Sequence, residues 1–537
     1  MLSRKFLSPQ LLKSCQKRLT PRFPSLSTTN VCWNSTVSVN KKKNVDDKTT
    51  ISANASLSNK SISTKQQLYT LSPYSPGSIF FLPNGAKLFN KLINFIRIQE
   101  VKKLGFDEVM TPLMYKKELF EISNHWKYYN EDMFKIYRNA HEDGGCNEHE
   151  HEHEHQHHQK EENEVYALKP MNCPGHCLIY KQFPKTHNDL PVRYSDFSSL
   201  HRNEASGALS GLTRVRRFHQ DDGHIFCSFQ HLESEILANL KLVELIYEKF
   251  GLGDFKILLS TRPKNNKFIG KEEDWEKAEG ILIDILEKVN KKWELNEGDG
   301  AFYGPKIDII LKDKFGKFHQ TATIQLDFQL PNNFGLKYFN EKGEPETPII
   351  VHRAIFGSVE RFLAILIDNY EGKWPFWLNS NQIKVVPVSP EKHSWYCKYI
   401  EDYLSNNGKP DHTLQEYKAM AATDEVNVDN YYKESNSSLG KFKKLSPLTS
   451  YDFNIEVDDR AESLGKRIKD AYSKSFNYLV TIGDAECESA LKGLESGEES
   501  DLVISLKGLH GKDKNKVEKL GLKHALEKFI ELEKNYE

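Results

Sequence analysis

At residues 374–382 the chain reads WPFWLNSNQ, and the hydrophobic pattern changes across that stretch. Beyond it, short runs such as IKVVPV and NYLVTI alternate with helical segments, which is the pattern of an α/β unit with a sheet of its own. Before it lie longer amphipathic helices. Leu88, Leu92, Phe95 and Ile96 recur at helical spacing between Asn84 and Leu104, with Gly105 where a C-cap belongs. Leu232, Ile236, Leu240, Val243, Tyr247 and Phe250 write a second helix that Gly251 closes. One chain must therefore fill two separate cores. Its 537 residues, 38% of them apolar, suffice for two large domains at roughly 100 to 200 residues each. The expected organisation is a first domain over 69–380 and a smaller α/β domain over 383–537.

Three polar stretches interrupt this plan. Residues 46–68 are Ser-rich and lack apolar periodicity, so a linker is expected there and the folded body should start near Leu68. An insertion over 141–163 contains EHEHEHEHQHH; alternating Glu and His cannot bury a core face and selects no single metal, so a solvated loop extension is expected. Residues 407–450 are poorly periodic and read as a second insertion or long loop.

Residues 1–45 hold nine Lys or Arg and no acid, with Arg, Ser and Leu abundant and no continuous apolar run. That is the pattern of an organelle transit peptide, with the mitochondrial matrix as the expected destination; a plastid address or a disordered basic arm carries the same residues. The formal net charge is −1, so the remainder of the chain is near −10. An acidic body excludes bulk attraction to nucleic acid and leaves RNA contact to local patches at a shaped site. No run reaches the length of a spanning helix, and no membrane insertion is expected. Eight cysteines without a CxxC pair do not make a disulfide framework.

The chemistry-bearing residues gather in a few blocks. Arg202 and Glu204 stand in LHRNE, followed by TRVRRFHQDDGH; Gly357, Glu360 and Arg361 stand in FGSVERFLAIL. A nucleotide polyanion needs cations that stay charged and fork around phosphate oxygens, and two separated Arg groups suit it. LGFDEVMTPLMY, SSLHRNEASGALSGLTRVRRFHQDDGHIFC and HRAIFGSVERF resemble motifs 1, 2 and 3 of the class II tRNA synthetases, and ALKPMNCPGH with GAFYGPKIDI resembles the threonyl branch of that family. The likeness covers about 69–380, with a weaker match to an anticodon-binding domain from 383 to 537.

The resemblance implies an α/β (α+β) fold, with an antiparallel-sheet catalytic domain and a smaller α/β anticodon-binding domain. It implies ATP-dependent attachment of threonine to threonine tRNA through a threonyl-adenylate, in a homodimer paired through motif 1. Carried over by position, Arg202 binds the α-phosphate and Glu204 the adenine end, Arg361 meets the γ-phosphate, Arg214 and Gln320 lie in the ATP site, and Phe218 stacks on adenine. Mg²⁺ accompanies ATP. Cys173, His224 and His352 match the ligands of a zinc ion whose open position takes threonine; the neighbouring His176 and Cys177 match no ligand position. Met171, Gln220, Asp222, Tyr303 and Gln325 complete the threonine pocket, and His125 assists transfer to the tRNA through the 2′-hydroxyl. Arg460 is the tRNA-binding candidate in DDRAESLGKRIKDA. The stretch before residue 68 is shorter than the family's N-terminal editing domain, so measurable seryl-tRNA formation is expected. A relative that kept the fold and lost catalysis would lack Arg202, Arg361 or a metal ligand; all are present.

Overall fold

The computed structural model describes residues 59–137, 164–264, 267–289, 291–422, 451–496 and 502–537. The expected leader over 1–45, the His/Glu insertion over 141–163 and positions 423–450 of the second insertion lie outside the described residues, as do 46–58 of the linker.

The apolar stripes form the helices they predict. α1 (Pro83–Gln99) begins at a proline, whose missing N–H costs nothing in a first turn, and buries Leu88, Leu92, Phe95 and Ile96. It then widens into a π turn over Glu100–Leu104 before Gly105, at φ 67°, ends it. The turn swings Glu100 inward, where its carboxylate accepts from Nη1 of buried Arg353 at 2.7 Å. No stripe in the sequence signals that bend, because the apolar spacing stops at Ile96.

Next come β1 (Asp107–Glu108), α2 (Cys173–Lys181), β2 (Val192–Asp196), a hairpin of β3 (Ser199–His201) and β4 (Arg217–His219), β5 (Asp222–Cys227) and α3 (Leu232–Lys249). Then follow β6 (Phe255–Ser260), α4 (Glu272–Glu287), β7 (Trp293–Asn296), β8 (Lys306–Lys312), β9 (Phe318–Asp327), β10 (Ile349–Ala354) and α5 (Val359–Tyr370). An eight-stranded sheet runs β7-β6-β8-β9-β10-β5-β2-β1. Its six central strands are antiparallel, and each edge strand is added in parallel. Because successive side chains leave opposite faces of a strand, Ile307, Ile309, Ile324, Leu326, Val351 and Ile225 go to one side. There they share a core with the stripes of α1, α3, α4 and α5. The other face carries polar side chains over its middle and a smaller apolar cluster, with Phe226 and Ile350 against Tyr180 of α2, beside them.

The second domain has a core of its own around Val385, Trp395, Val480, Ile504 and Phe529. It contains β11 (Ile383–Pro387), α6 (Pro390–Ser405), α7 (Leu414–Ala422), β12 (Ile455–Val457), α8 (Leu464–Ser473), β13 (Tyr478–Ile482), α9 (Asp484–Ser496), β14 (Val503–Gly508), β15 (Val517–Gly521) and α10 (Leu522–Lys534). The sheet order is β12-β11-β13-β14-β15, with the first three strands parallel and the last two antiparallel. It meets the first domain where the Tyr536 ring edges onto Phe95 at 4.9 Å and Lys91 pairs with Glu533 at 3.0 Å.

Two polar stretches are more structured than their composition suggests. α7 lies inside the expected insertion, and its stripe of Leu414 and Tyr417 packs on α6. The expected linker is helical over 59–66, held by tertiary hydrogen bonds instead of an apolar stripe. Asn59 donates to Ala364 O at 3.0 Å, Gln66 donates to Gly372 O at 2.6 Å, and Trp374 Nε1 donates to Gln66 at 2.9 Å. Polar residues with distant partners leave no periodicity to read.

The Asp368 carboxylate beneath this helix is pushed up to about 6 by burial, against the Asn59 amide that favours its charged form. An acid whose folded value exceeds its ordinary one contributes its stability below the unfolded value, near 3.9, and loses it as pH rises through about 6. Asp368→Asn should therefore raise stability by about 1 kcal/mol at pH 8, after discounting for partial solvent screening. The gain should vanish near pH 4; thermal midpoints at the two pH values check it.

Candidate active site

Lys306, Gln325, His352 and His224 stand directly opposite one another on β8, β9, β10 and β5. Their side chains therefore leave the same face of the sheet, away from the apolar core. Cys173, the first residue of α2, is set above this row. Ligand atoms of Cys173, His224 and His352 all lie within 4.8 Å of one another, and all three residues are buried. The two rings are held by opposite nitrogens: Nδ1 of His224 is 2.8 Å from Nδ1 of His176, whereas Nε2 of His352 is 2.9 Å from Asp327 Oδ2. That leaves Nε2 of His224 and Nδ1 of His352 as the free donors.

Burial, and then the neighbouring His352 and His176, holds His224 well below the ordinary imidazole value, so the ring is neutral and able to ligate. Burial pushes the Cys173 thiol well up, with Cys177, Asp222 and Asp327 adding to the rise. One thiol and two imidazoles converging from one side could hold a divalent cation of the zinc type and leave a position open for a ligand.

Around them, the Tyr303 ring lies 5.1 Å from that of His352, Gln325 Nε2 donates to Gly304 O at 3.0 Å, and Asn172 donates to Asp222 Oδ2 at 3.0 Å. Burial raises the Asp222 carboxyl. Met171 and Gln220 line the same cavity of about 390 Å³.

The other end of that cavity carries three guanidinium groups. Arg202 comes from the loop after β3, with its Cζ 4.9 Å over the Phe218 ring of β4. Arg361 enters from the first turn of α5, which Ser358 caps by accepting from the Arg361 N–H at 3.3 Å. Its own head donates to Thr213 O and Gln320 O, both at 3.0 Å. Arg214 pairs with Glu204 at 2.8 Å, and Gln320 donates to Asp308 at 2.6 Å. Burial lowers Arg361, and the charges of Arg202 and Arg214 lower it further. Three cations facing one partly buried space repel one another, and a polyanion relieves that repulsion. Gly357 makes the approach possible: it sits at φ 68°, and a Cβ there would lie 2.4 Å from Thr321 O.

Two sequence-predicted residues fall outside this cavity. His125 is fully buried, with Nδ1 2.8 Å from Ser123 Oγ and Nε2 3.2 Å from the Met171 sulfur, so Met171 separates it from the open space. Burial, then His352 and Arg202, brings it down to about 3. Arg460 lies in the second domain; its fork grips Asp458 through two 2.7 Å bonds and reaches Asp470 at 2.8 Å. Arg467, by contrast, is buried and donates to the carbonyls of Asp458 and Glu462, which makes it part of the scaffold.

Sequence reasoning also passed over Lys306, a cavity residue, and gave the Glu360 of FGSVERFLAIL no role. Lys306 lines the cavity and pairs with Asp308 and Asp299. The buried Glu360 accepts from His219 N at 3.0 Å and faces its Nδ1 at 2.8 Å, tying the β3–β4 hairpin to α5. Lys306 falls in phase with Ile307 and Ile309 turned the other way, a signal available in KIDII.

Residues 154–370 match the family described as tRNA synthetase class II core domain (G, H, P, S and T), and residues 382–505 match the anticodon binding domain. The chain is 44% identical over 487 residues to a mitochondrial threonine–tRNA ligase of Saccharomyces cerevisiae, with 88% of this chain and 91% of that one covered. It is 38% identical over 485 residues to a probable mitochondrial threonine–tRNA ligase of Schizosaccharomyces pombe, covering 89% and 90%. A crystal structure described as the RNA binding domain of threonyl-tRNA synthetase from Cryptosporidium parvum Iowa II superposes with a TM-score of 0.68 at 35% identity. That match covers 88% of this chain and 98% of the other.

Proposed function

The chain belongs to the class II tRNA synthetases, within them to the threonine–tRNA ligases, and on that premise we propose that the cavity on the polar face of the sheet is where threonine and ATP are joined. The activity is ATP-dependent attachment of threonine to threonine tRNA through a threonyl-adenylate. In our reading Arg202 holds the α-phosphate and Arg361 the γ-phosphate, with Arg214 beside them. Phe218 stacks on adenine, and Glu204 and Gln320 take its polar edge and the ribose end. ATP enters with Mg²⁺. The threonine carboxylate attacks the α-phosphorus in line, the bond to pyrophosphate breaks, and the charge gathering on the transferred group meets guanidinium groups already in position.

A zinc ion held by Cys173, His224 and His352 would supply a Lewis-acid anchor for the amino and hydroxyl groups of threonine. Asp222, Tyr303, Gln325, Met171 and Gln220 enclose the amino acid. The role the resemblance gives His125, assisting transfer to the tRNA through the 2′-hydroxyl, requires Met171 to move from between its Nε2 and the cavity. The observation that carries the reading is that the Cys/His/His cluster and the three Arg groups open into one cavity. The test is pyrophosphate exchange into ATP with each amino acid in turn, alongside elemental analysis. Threonine should drive exchange, serine should fall roughly 10 to 200-fold below it for want of a methyl, and valine about 10⁴-fold for want of a hydroxyl. Exchange indifferent to threonine, or full exchange without stoichiometric zinc, overturns the reading.

The relatives named mitochondrial support a mitochondrial location, with the matrix as our proposed compartment. For tRNA contact we retain Arg460, whose carboxylate partners fix its fork and leave Nη1 uncommitted among the described residues. A homodimer is supported by the motif 1 segment, where Met110, Leu113 and Met114 are exposed, Met110 to 87%, with exposed Val101 just before it. Two-fold symmetry would place any change there twice. Met110→Glu should therefore weaken the dimer by about 4 kcal/mol, on the order of 10³-fold in Kd, and yield a monomer by light scattering at micromolar concentration.

A further inference from the structure

His176 matches no ligand position in the family, yet it is fully buried directly behind a ligand. Its ring meets that of His224 edge to face, with centroids 4.6 Å apart at 89°, and the two Nδ1 atoms are 2.8 Å apart. Two ring nitrogens at that distance share one proton, so one donates and the other accepts. On its far side His176 turns Nε2 toward Asp196 Oδ2 at 3.8 Å, and Nε2 has no hydrogen-bond partner among the described residues. Asp196 is itself fixed: it accepts from Thr111 Oγ1 at 2.7 Å and from the Ser198 N–H at 2.8 Å, with Lys169 at 3.5 Å.

Only one proton arrangement serves a metal. If His224 presents Nε2 to an ion as a neutral ring, its proton must sit on Nδ1 and be donated to His176. His176 then accepts at Nδ1, carries its own proton on Nε2, and directs it at a carboxylate that can only accept. We propose that His176, backed by Asp196, is a positioning residue for the metal centre, locking the His224 ring with Nε2 directed at the ion. His352 obtains the same support in one step from Asp327. This inference rests on the zinc reading above, and its test separates the two.

Zinc affinity is measured by competition with a chromophoric chelator for the full chain, for His176→Leu and for His176→Asn. Asn places a carbonyl oxygen near where Nδ1 stands and so keeps an acceptor for His224; Leu keeps bulk alone. Loss of such an outer partner typically weakens binding 10 to 100-fold. We expect that loss in His176→Leu, affinity within about threefold of the parent in His176→Asn, and an altered visible spectrum of the Co²⁺-substituted Leu variant. Parental affinity in His176→Leu overturns the inference and leaves the zinc reading standing. So does equal weakening in both variants accompanied by equal loss of metal-free thermal stability, which marks a packing role. A parent protein that binds no zinc overturns the zinc reading itself, and this inference with it.

Discussion

If the proposed zinc is held as argued, replacing Cys173 with serine is expected to weaken metal binding about 10²-fold and to cut threonine-dependent pyrophosphate exchange by a similar factor. Zinc sites of full ligation contribute about 10–16 kcal/mol, so one ligand is worth about 3 kcal/mol, or roughly two powers of ten in metal affinity. A serine hydroxyl stays protonated and cannot replace the thiolate. The fold should survive, because the change removes little volume from a position at the start of α2, and α2 is held by Tyr180 packing on Phe226 at 4.5 Å. The damage should be confined to one substrate. ATP is proposed to be gripped by Arg202 and Arg361, neither of which touches Cys173, so ATP affinity should remain near the parental value while the KM for threonine rises. Discrimination against valine should shrink toward the roughly 10 to 200-fold that packing alone supplies, since the hydroxyl would no longer be required as a ligand. Stoichiometric zinc with an unchanged threonine KM in the variant would sink this account.

What the sequence disclosed and what it hid follow a physical rule. Apolar stripes declare themselves, because a helix or strand that buries one face must repeat it: Leu88 to Ile96 and Leu232 to Phe250 are placed as their spacing predicts. The Cys173, His224 and His352 set has no such repeat. Its members are spread over about 180 residues of chain, and only the pairing of β5 with β10, which sets His224 opposite His352, brings two of them together. Spacing could not reveal that register; resemblance to a family supplied it. Partners of buried polar groups were hidden for the same reason. Glu100 meets Arg353 across 253 positions, and Gln66 meets Trp374 across 308. His176 is the sharpest case: adjacent to Cys173 in sequence it resembles a spurious ligand, and in space it stands behind the true candidate. A carboxylate or imidazole carries no local sign of which distant group it faces, so one reads polar sites from topology after the apolar pattern has fixed the sheet.

Arg202→Ala is expected to lower kcat/KM for adenylate formation by about 10³-fold, the scale seen when an oriented donor to a developing charge is removed. The group is free to act on a ligand. Among the described residues its only side-chain hydrogen bond is a long one, Nε to Pro170 O at 3.4 Å, and the guanidinium lies over Phe218. Losing it should therefore cost little stability, which thermal unfolding of the variant checks. Arg202→Lys should recover less than about tenfold, because an ammonium keeps the charge and loses the fork that grips two oxygens at once. Arg214 supplies the contrast. It is more exposed, at 55% of its side chain, and already paired with Glu204. Its truncation should therefore cost no more than about tenfold, as expected of a screened cation. Three guanidinium groups reach into one cavity, yet the hydrogen-bond pattern ranks them. Arg361 is anchored by two carbonyls and shapes the site, Arg214 is balanced by a carboxylate, and Arg202 alone is poised with little to hold it. Equal losses for Arg202→Ala and Arg214→Ala would show that the cavity reads total charge, and the assignment of the α-phosphate to Arg202 would fall.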